Sequence, residues 1–316
     1  MKPKISICCL CYNHEKYLKT ALDSFYSQKG NFEIEIIIFD DCSTDKSREI
    51  IEEYKLLYPG TIKSIYPKEN VYSQGRTAFF DIVEATSGEY LAFCEGDDYW
   101  CDNFKLAKQL GFLIKNKNLN LVFHPAETLF DSGELTDKGY GYYGDKEAIH
   151  GFKDILSISG SYMPMASIFA RKNTFVLWFQ QYPSFFSCNT WHSTIQILGA
   201  YKQGAGYLPY KMCIYRSMHE GSWSHTISSS GAAVEKDYKS FLLRNRGLKN
   251  MMSSEFEQVF DSILISRAYK LSKNRFLTLK SKNKLLNLTP YKFSFRSKTK
   301  LLIYKVLSGI LKHVKK

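Results

Sequence analysis

The sequence has no apolar run long enough to cross a membrane and no recognisable secretory leader. No stretch reaches the roughly 20 apolar residues that a membrane-spanning helix needs. The first residues do not combine a charged start with an apolar core, so we expect no secretory signal. These two absences favour a protein that works in the cytoplasm.

Paired cysteine motifs are also lacking. The eight cysteines stand at positions 8, 9, 11, 42, 94, 101, 188 and 213, without the Cys-x-x-Cys arms of a structural zinc site. Cys8, Cys9 and Cys11 lie inside an apolar, strand-like run. This pattern favours small buried hydrophobic side chains in a reducing compartment over a metal or redox role.

Acidic residues are absent from the last part of the chain. Residues 273–316 contain 13 Lys or Arg and no Asp or Glu, so the net charge of +12 leaves about −1 for the first 272 residues. Within 301–314, four apolar residues fall on one helical face: Ile303, Leu307, Ile310 and Val314. This predicts a basic amphipathic helix that binds anionic lipid on the cytoplasmic face of the inner membrane. A helix packed on its own domain explains the same pattern, and no recognised module suggests nucleic-acid binding.

The first half of the chain alternates strand-like and helix-like segments. Apolar runs at Ile5–Leu10, Ile34–Phe39, Ile62–Tyr66 and Tyr90–Cys94 are separated by stretches with helical spacing at Glu15–Gln28, after Asp45 and at Thr77–Ala85. Such alternation predicts an α/β fold with a mostly parallel sheet and helices on both faces. In that architecture ligands collect beyond the carboxyl ends of the strands, where Asp40-Asp41 and Asp97-Asp98 stand.

The segment Glu95–Asp98 suits the binding of a nucleoside diphosphate. Carboxylates repel a diphosphate directly, but a divalent cation between them turns repulsion into attraction and stabilises the departing diphosphate. We expect Asp98 to bind the cation, Mn²⁺ or Mg²⁺, and Asp97 to contact the ribose or the sugar. A solvated turn with a helix cap is the alternative interpretation of two adjacent aspartates.

Three ordered segments, Ser6–Asn13, Glu35–Asp45 and Gly88–Trp100, closely resemble the family 2 glycosyltransferases of the GT-A fold. The Glu-Gly-Asp-Asp-Tyr-Trp version in the third segment resembles a branch of bacterial surface-polysaccharide enzymes. The resemblance covers roughly residues 4–115 and continues more weakly to Ser224. It implies a GT-A, Rossmann-like domain over 1–230, with a donor half at 1–115 and an acceptor half at 116–230. A helical region with the basic tail is expected over 231–316.

The resemblance also implies residues of the nucleotide-sugar site. Asp41 would face the base of the nucleotide, typically uracil, and Leu10, Cys11 and Tyr12 would line the same pocket. Asp97-Asp98 matches the metal-binding position of the family, with Asp98 on the cation.

Two further donor contacts are open at this stage. Arg76 could approach the donor phosphates, or it could form a surface salt bridge. Trp100, beside Tyr99, could wall the donor sugar, or it could pack in the core.

The catalytic base departs from the family pattern. Relatives usually carry an Asp about 23 residues before a Tyr-Arg pair; here Tyr215-Arg216 matches the pair, and counting back gives His192. An imidazole with a reference pKa of about 6.5 can accept the acceptor proton, although a structural histidine or a loss of transfer activity would also explain it. Glu220 is the reserve candidate for the base. His219, displaced by one residue from the position of a family histidine, could reach the metal or the diphosphate.

The sequence therefore predicts an inverting, metal-dependent transferase that moves a sugar from a UDP-sugar to a glycan or lipid-linked glycan of a bacterial surface polysaccharide. One alternative is a sugar nucleotidyltransferase, against which the absence of a Gly-rich phosphate loop after the first strand argues. The other is a membrane-associated, nucleotide-binding scaffold without transfer activity, supported only by the departure at His192.

Overall fold

The structure is a computed structural model that describes residues 2–158, 160–187 and 191–289. Its strands are β1 (Lys4–Cys11), β2 (Glu33–Asp40), β3 (Ile62–Ile65), β4 (Tyr90–Phe93), β5 (Tyr99–Trp100), β6 (Leu121–Phe123), β7 (Ala126–Phe130), β8 (Leu135–Tyr140), β9 (Ala148–His150), β10 (Phe169–Arg171), β11 (Ala205–Tyr207) and β12 (Cys213–Ser217). Its helices are α1 (Leu18–Tyr26), α2 (Ser47–Leu57), α3 (Phe79–Ala85), α4 (Lys105–Lys115), α5 (Phe152–Ile158), α6 (Lys172–Gln181), α7 (Trp191–Gly199), α8 (Trp223–Ser229), α9 (Gly231–Met251), α10 (Glu257–Ser272) and α11 (Leu279–Leu286).

The main sheet has the strand order β3-β2-β1-β4-β10-β6-β11-β9. Strand β1 runs parallel to both β2 and β4, and β2 runs parallel to β3. The parallel first half with helical crossovers confirms the expected α/β fold. Beyond β4 the sheet is mixed, because β10 runs antiparallel to β4 and β6, and β9 runs antiparallel to β11. A smaller sheet has the order β5-β12-β7-β8.

The core lies on both faces of the parallel strands, which is why β1 is a nearly continuous apolar run. The stripe predicted for the first helix, at Leu18, Ala21, Leu22 and Phe25, is fully buried on α1. Most of the described cysteines pack in the interior as small hydrophobic side chains: Cys8, Cys9, Cys11, Cys94 and Cys213. Cys188 lies outside the described residues.

The chain divides into two compact units, Met1–His225 and Thr226–Lys316. In the second unit α9, α10 and α11 present apolar faces, and the Ser230 side chain caps α9 by accepting a hydrogen bond from the Ala233 N–H. None of the helices in the described part of the chain is both long and apolar enough to span a membrane. The amphipathic segment predicted within 301–314 lies outside the described residues.

Candidate functional site

The turns that follow β2 and β4 are fastened to opposite sides of the end of β1. The Asp41 N–H donates to the Cys11 carbonyl at 2.9 Å, and the Gly96 N–H donates to the Leu10 carbonyl at 2.9 Å. The two carboxylate pairs therefore meet at one edge of the sheet, next to the carboxyl end of β1. This edge is where an open α/β sheet binds its ligands.

The turn after β1 is held against the turn after β2. Asn13 adopts a left-handed backbone with φ 55°, a conformation that asparagine tolerates better than most side chains. Its N–H donates to Ser43 Oγ at 2.9 Å, and its side-chain oxygen accepts from the Thr44 N–H at 2.7 Å. The next N–H, of His14, donates to Ser47 Oγ at 2.8 Å. These bonds fix the entry to the site before any ligand binds.

Asp41, expected at the nucleotide base, holds the loop that follows β3. Its buried carboxylate accepts hydrogen bonds from the Val71 N–H at 2.7 Å and the Tyr72 N–H at 3.1 Å. The Asn70 side chain donates to the Asp41 carbonyl at 2.8 Å. Around this turn, Tyr12 is 46% exposed and Cys11 is buried. The exposed Tyr12 ring is thus the member of the predicted pocket that a base can reach.

Asp97 and Asp98 are adjacent in the chain but face different surroundings. Asp98 is 2% exposed, and its Oδ1 accepts the backbone N–H of Arg216 at 2.9 Å. The Asp97 side chain is 17% exposed, and its Oδ2 lies 3.1 Å from His219 Nε2. The structure therefore brings His219 to Asp97, whereas the sequence-based assignment placed His219 and Asp98 together on the metal.

The charges around the two aspartates drive their pKa values apart. Burial disfavours the Asp97 carboxylate, but the electrostatic interaction with His14, 3.9 Å away, and the hydrogen bond with His219 outweigh burial and lower the pKa of Asp97 to about 2. Burial and the nearby charge of Asp97 raise the pKa of Asp98 well above its ordinary value. The hydrogen bond to Asp97 raises the pKa of His219. Asp97 is thus the ionised, accessible carboxylate of the pair.

Arg216 supports this arrangement from β12. Its Nη1 donates to the Asp97 carbonyl at 2.6 Å, and its guanidinium lies 4.9 Å from the Tyr17 ring centre and 4.7 Å from that of Tyr99. The Tyr17 ring in turn lies 4.8 Å from the His219 ring. Sequence reasoning used Arg216 only as a landmark and missed His14 and Tyr17. A signal for both was their place directly after β1, at the edge where the ligand was expected.

Gly96 allows the turn to approach His14. A Cβ atom at this position would lie 2.8 Å from His14 Nδ1 and 3.1 Å from Leu18 Cδ1. The same His14 Nδ1 is buried and has no hydrogen-bond partner in the described structure. Glycine is therefore required here by close packing.

The side chains of Asp97 and His219 suit a divalent cation that takes only part of its coordination shell from the protein. No cluster of three or more ligating side chains occurs among the described residues. Asp97 Oδ2 and His219 Nε2 share a hydrogen bond at 3.1 Å, and the two side chains would both hold a cation once that nitrogen is unprotonated. Carboxylate and imidazole both suit Mg²⁺ or Mn²⁺, and such ions commonly complete their shell with water and substrate phosphates.

The two candidate bases lie in different positions. His192, in the first turn of α7, places its Nε2 3.1 Å from each carboxylate oxygen of Glu95. Glu220 is exposed, and its backbone carbonyl lies 3.0 Å from His219 Nδ1. His192 thus faces the turn that carries Asp97, while Glu220 contributes a backbone contact.

Arg76 and Trp100 are the two residues for which the sequence left a donor contact open. Arg76 lines a cavity of about 480 Å³ with Lys63, Asp81 and Glu84, and its charge opposes the effect of burial on the pKa of Asp81. Trp100 is 3% exposed, and its indole N–H donates to the Ala166 carbonyl at 2.9 Å. Trp100 therefore packs in the core, which is one of the two roles considered from the sequence.

Sequence comparisons show what the first half of the chain is similar to. Residues 6–161 match the family model described as glycosyl transferase family 2. An uncharacterized protein of Mycobacterium tuberculosis is 41% identical over 129 residues, which are 41% of this chain and 37% of that protein. A Bacillus subtilis protein named for a glycosyltransferase of teichuronic acid biosynthesis, TuaG, is 35% identical over 114 residues, 36% of this chain and 43% of that protein. The matched segments span less than half of the length of these relatives.

Solved structures share the fold over most of the chain. The crystal structure of Staphylococcus aureus TarS 1–349 in complex with UDP-GlcNAc has a TM-score of 0.65 at 18% identity, covering 91% of this chain and 79% of that one. The mannosyltransferase PcManGT from Pyrobaculum calidifontis, in complex with GDP-Man and Mn²⁺, has a TM-score of 0.52 at 12% identity, covering 98% and 87%. Residues 6–161 are thus similar to family 2 glycosyl transferases, and these neighbours share the α/β fold of the chain.

Proposed function

We propose that this protein transfers a sugar from a nucleoside diphosphate donor, a UDP-sugar, to a hydroxyl of a glycan or lipid-linked glycan acceptor. The pathway we propose is the synthesis of a bacterial surface polysaccharide, in line with the name of the Bacillus subtilis relative. The observation that carries the proposal is the contact between Asp97 and His219 beside the end of β1. The UDP-GlcNAc complex of a fold neighbour supports the choice of donor.

Donor binding uses the edge of the parallel strands. The exposed ring of Tyr12 and the turn at Asp41 receive the base, with Leu10 and Cys11 behind them. Asp97, with His219 once its Nε2 is unprotonated, would hold a divalent cation, which would supply charge neutralisation for the diphosphate. Asp98, assigned to the cation from sequence, instead holds the Arg216 backbone and so keeps β12 against the turn.

Transfer requires removal of the acceptor proton as the sugar departs from the diphosphate. His192 is the proposed base, because its imidazole stands at the same turn as Asp97 and is 46% exposed. Attack from the face opposite the departing diphosphate inverts the anomeric carbon. Glu220 remains the second candidate, with its side chain on the surface next to His219.

The proposal extends to location. The basic segment at 273–316 would hold the protein at the anionic cytoplasmic face of the inner membrane, near a lipid-linked acceptor. This part of the proposal rests on the sequence pattern.

The experiment that tests the function is thermal unfolding of the full chain with UDP, GDP, CDP or ADP, each with and without Mn²⁺. A ligand that binds only the folded state adds RT ln(1 + [L]/Kd), about 2.7 kcal/mol at 100 times Kd. We expect a rise in Tm with UDP that depends on Mn²⁺. If no nucleotide raises Tm, the transferase proposal fails and the scaffold alternative fails with it.

Matched variants decide which carboxylate binds the cation. Asp97→Asn should remove the Mn²⁺-dependent part of the UDP shift, because it removes the ionised ligand. Asp98→Asn keeps an oxygen for the Arg216 N–H and should retain that dependence. Asp154→Asn, on the exposed side of α5, controls for loss of a negative charge. If only Asp98→Asn loses the Mn²⁺-dependent UDP shift, Asp98 and not Asp97 binds the cation.

A further inference from the structure

Glu95 and His192 form a side-chain pair across the proposed cleft. They are 97 positions apart in sequence, and His192 Nε2 lies 3.1 Å from both Oε1 and Oε2 of Glu95. The side chains of Glu95 and His192 are 20% and 46% exposed, so His192 is the one more accessible to an acceptor. A carboxylate with both oxygens directed at one ring nitrogen restricts the orientation of that ring.

The contact also selects a tautomer of the imidazole. A carboxylate accepts hydrogen bonds, so the Nε2 beside it carries the proton, and the lone pair of the neutral ring is on Nδ1. The positive charge that the ring gains on accepting a proton is then compensated at 3.1 Å. A neighbouring carboxylate thereby favours proton uptake in the transition state.

The backbone fixes the position of Glu95 relative to the donor site. The Asp98 N–H donates to the Glu95 carbonyl at 3.1 Å, and the Gly96 N–H donates to Leu10 at 2.9 Å. The same short turn thus carries Glu95 and, two residues later, Asp97. A base held by Glu95 is held at a set distance from the proposed diphosphate site.

We propose that Glu95 is the positioning residue for His192, an inference that rests on the proposed function. The acceptor O–H bond breaks and its proton passes to Nδ1 of His192, while the acceptor oxygen forms a bond to the anomeric carbon. The bond between that carbon and the diphosphate oxygen breaks, and its electron pair leaves with the diphosphate. Glu95 touches neither donor nor acceptor and acts through His192 alone.

The test is a double-mutant cycle between Glu95→Gln and His192→Asp. In the wild type, Glu95→Gln should lower kcat about 10- to 100-fold, a part of what a general base contributes. In the His192→Asp background, Glu95 stands beside a second carboxylate, so the same change removes a like-charge contact. Glu95→Gln should therefore raise kcat, or leave it unchanged, in that background.

The measured quantity is UDP release from UDP-GlcNAc, UDP-glucose and UDP-galactose with Mn²⁺, alongside the Tm shift with UDP and Mn²⁺. Glu127→Gln, which removes a carboxylate paired with Lys211 at 3.8 Å on β7, is the matched control and should keep full activity. An unchanged UDP shift in Glu95→Gln supports a role in the chemical step.

Three results would overturn the inference. An equal loss of kcat in both backgrounds would mean that Glu95 acts independently of His192. If Glu95→Gln does not lower kcat in the wild-type background, the contact between Glu95 and His192 is only a surface ion pair. A wild type that binds UDP and Mn²⁺ but turns over none of the three donors would remove His192 as a base and Glu95 with it. Failure of the proposed function itself is distinguishable, because the UDP shift would then be absent.

Discussion

At the scale of single residues, neighbouring positions in one turn have opposite chemical character. Asp97 is ionised against His14 and His219, while burial and the charge of Asp97 hold Asp98 towards its protonated form. Gly96 makes this possible, since its missing side chain lets the turn pack on the His14 ring.

Gly96→Ala should therefore disturb the proposed cation site. The new Cβ would lie 2.8 Å from His14 Nδ1, so the ring must move away from Asp97. Overpacking of this kind destabilises proteins by about 1–3 kcal/mol. We expect a lower Tm and a weaker Mn²⁺-dependent UDP shift, measured by thermal unfolding.

Gly111→Ala is the matched control for this substitution. Gly111 lies inside α4, and nothing lies within 4 Å of an added Cβ. Alanine in a helix interior is favoured over glycine by about 0.5–1 kcal/mol, so this variant should be slightly more stable with an unchanged UDP shift. If Gly96→Ala behaves in the same way, close packing on His14 is not what requires glycine.

Sequence patterns predicted that both aspartate pairs lie at one end of the sheet, as they do, but not which aspartate of the second pair is the more exposed. The motif positions follow from apolar runs that end in polar turns, a local signal. The directions of Asp97 and Asp98 depend on His219 and Arg216, more than 100 positions away in the chain. Contacts of that separation cannot be inferred from local spacing, so the sequence did not show that His219 lies against Asp97.

At the scale of elements, the Glu35 side chain on β2 forms hydrogen bonds with β1 and with the residues just before β4. Burial would raise the pKa of Glu35, but hydrogen bonds from Ser6 and Ser87 outweigh burial and lower it from 4.5 to about 2. The N–H of Gly88 also donates to Glu35 Oε1 at 3.1 Å. The three central strands thus share one carboxylate at the end of the sheet opposite the site.

Glu35→Gln should destabilise the fold by an amount that depends on pH. Because the folded-state pKa lies below the ordinary value of 4.5, the stabilisation is fully present above that pH and disappears as pH falls towards 2. Urea unfolding should give a loss of about 1–3 kcal/mol at pH 7 and a smaller loss at pH 3. Glu33→Gln, exposed on the same strand, is the control. A loss that stays constant with pH would argue against an ionised Glu35.

The strands and helices of the first half were predictable because each has its own periodicity. The predicted stripe of α1 and the runs at β1, β2 and β4 appear in the structure within a few residues of their expected bounds. The antiparallel entry of β10 between β4 and β6 was not predicted. A three-residue strand has too little periodicity to indicate which strands it pairs with. Its pairing depends on tertiary packing.

At the scale of the whole molecule, charge is divided along the chain. The first 272 residues carry about −1 and the 13 basic residues that follow carry +13, which together give the net charge of +12. Each Lys or Arg near an anionic surface contributes about 1 kcal/mol to binding. An enzyme acting on a lipid-linked acceptor would gain from such a segment by staying at the membrane where the acceptor is.

The last prediction concerns binding of the full chain to lipid vesicles. It should sediment with vesicles containing phosphatidylglycerol and not with phosphatidylcholine alone, and added salt should weaken the binding. Lys305→Glu with Lys312→Glu should weaken it by at least about 2 kcal/mol, roughly 30-fold. Lys117→Glu with Lys153→Glu changes the net charge equally at exposed positions of the first unit and should have little effect. Equal weakening by both pairs would mean that overall charge, and not the basic segment, drives the attraction, and the membrane part of the proposal would then fall.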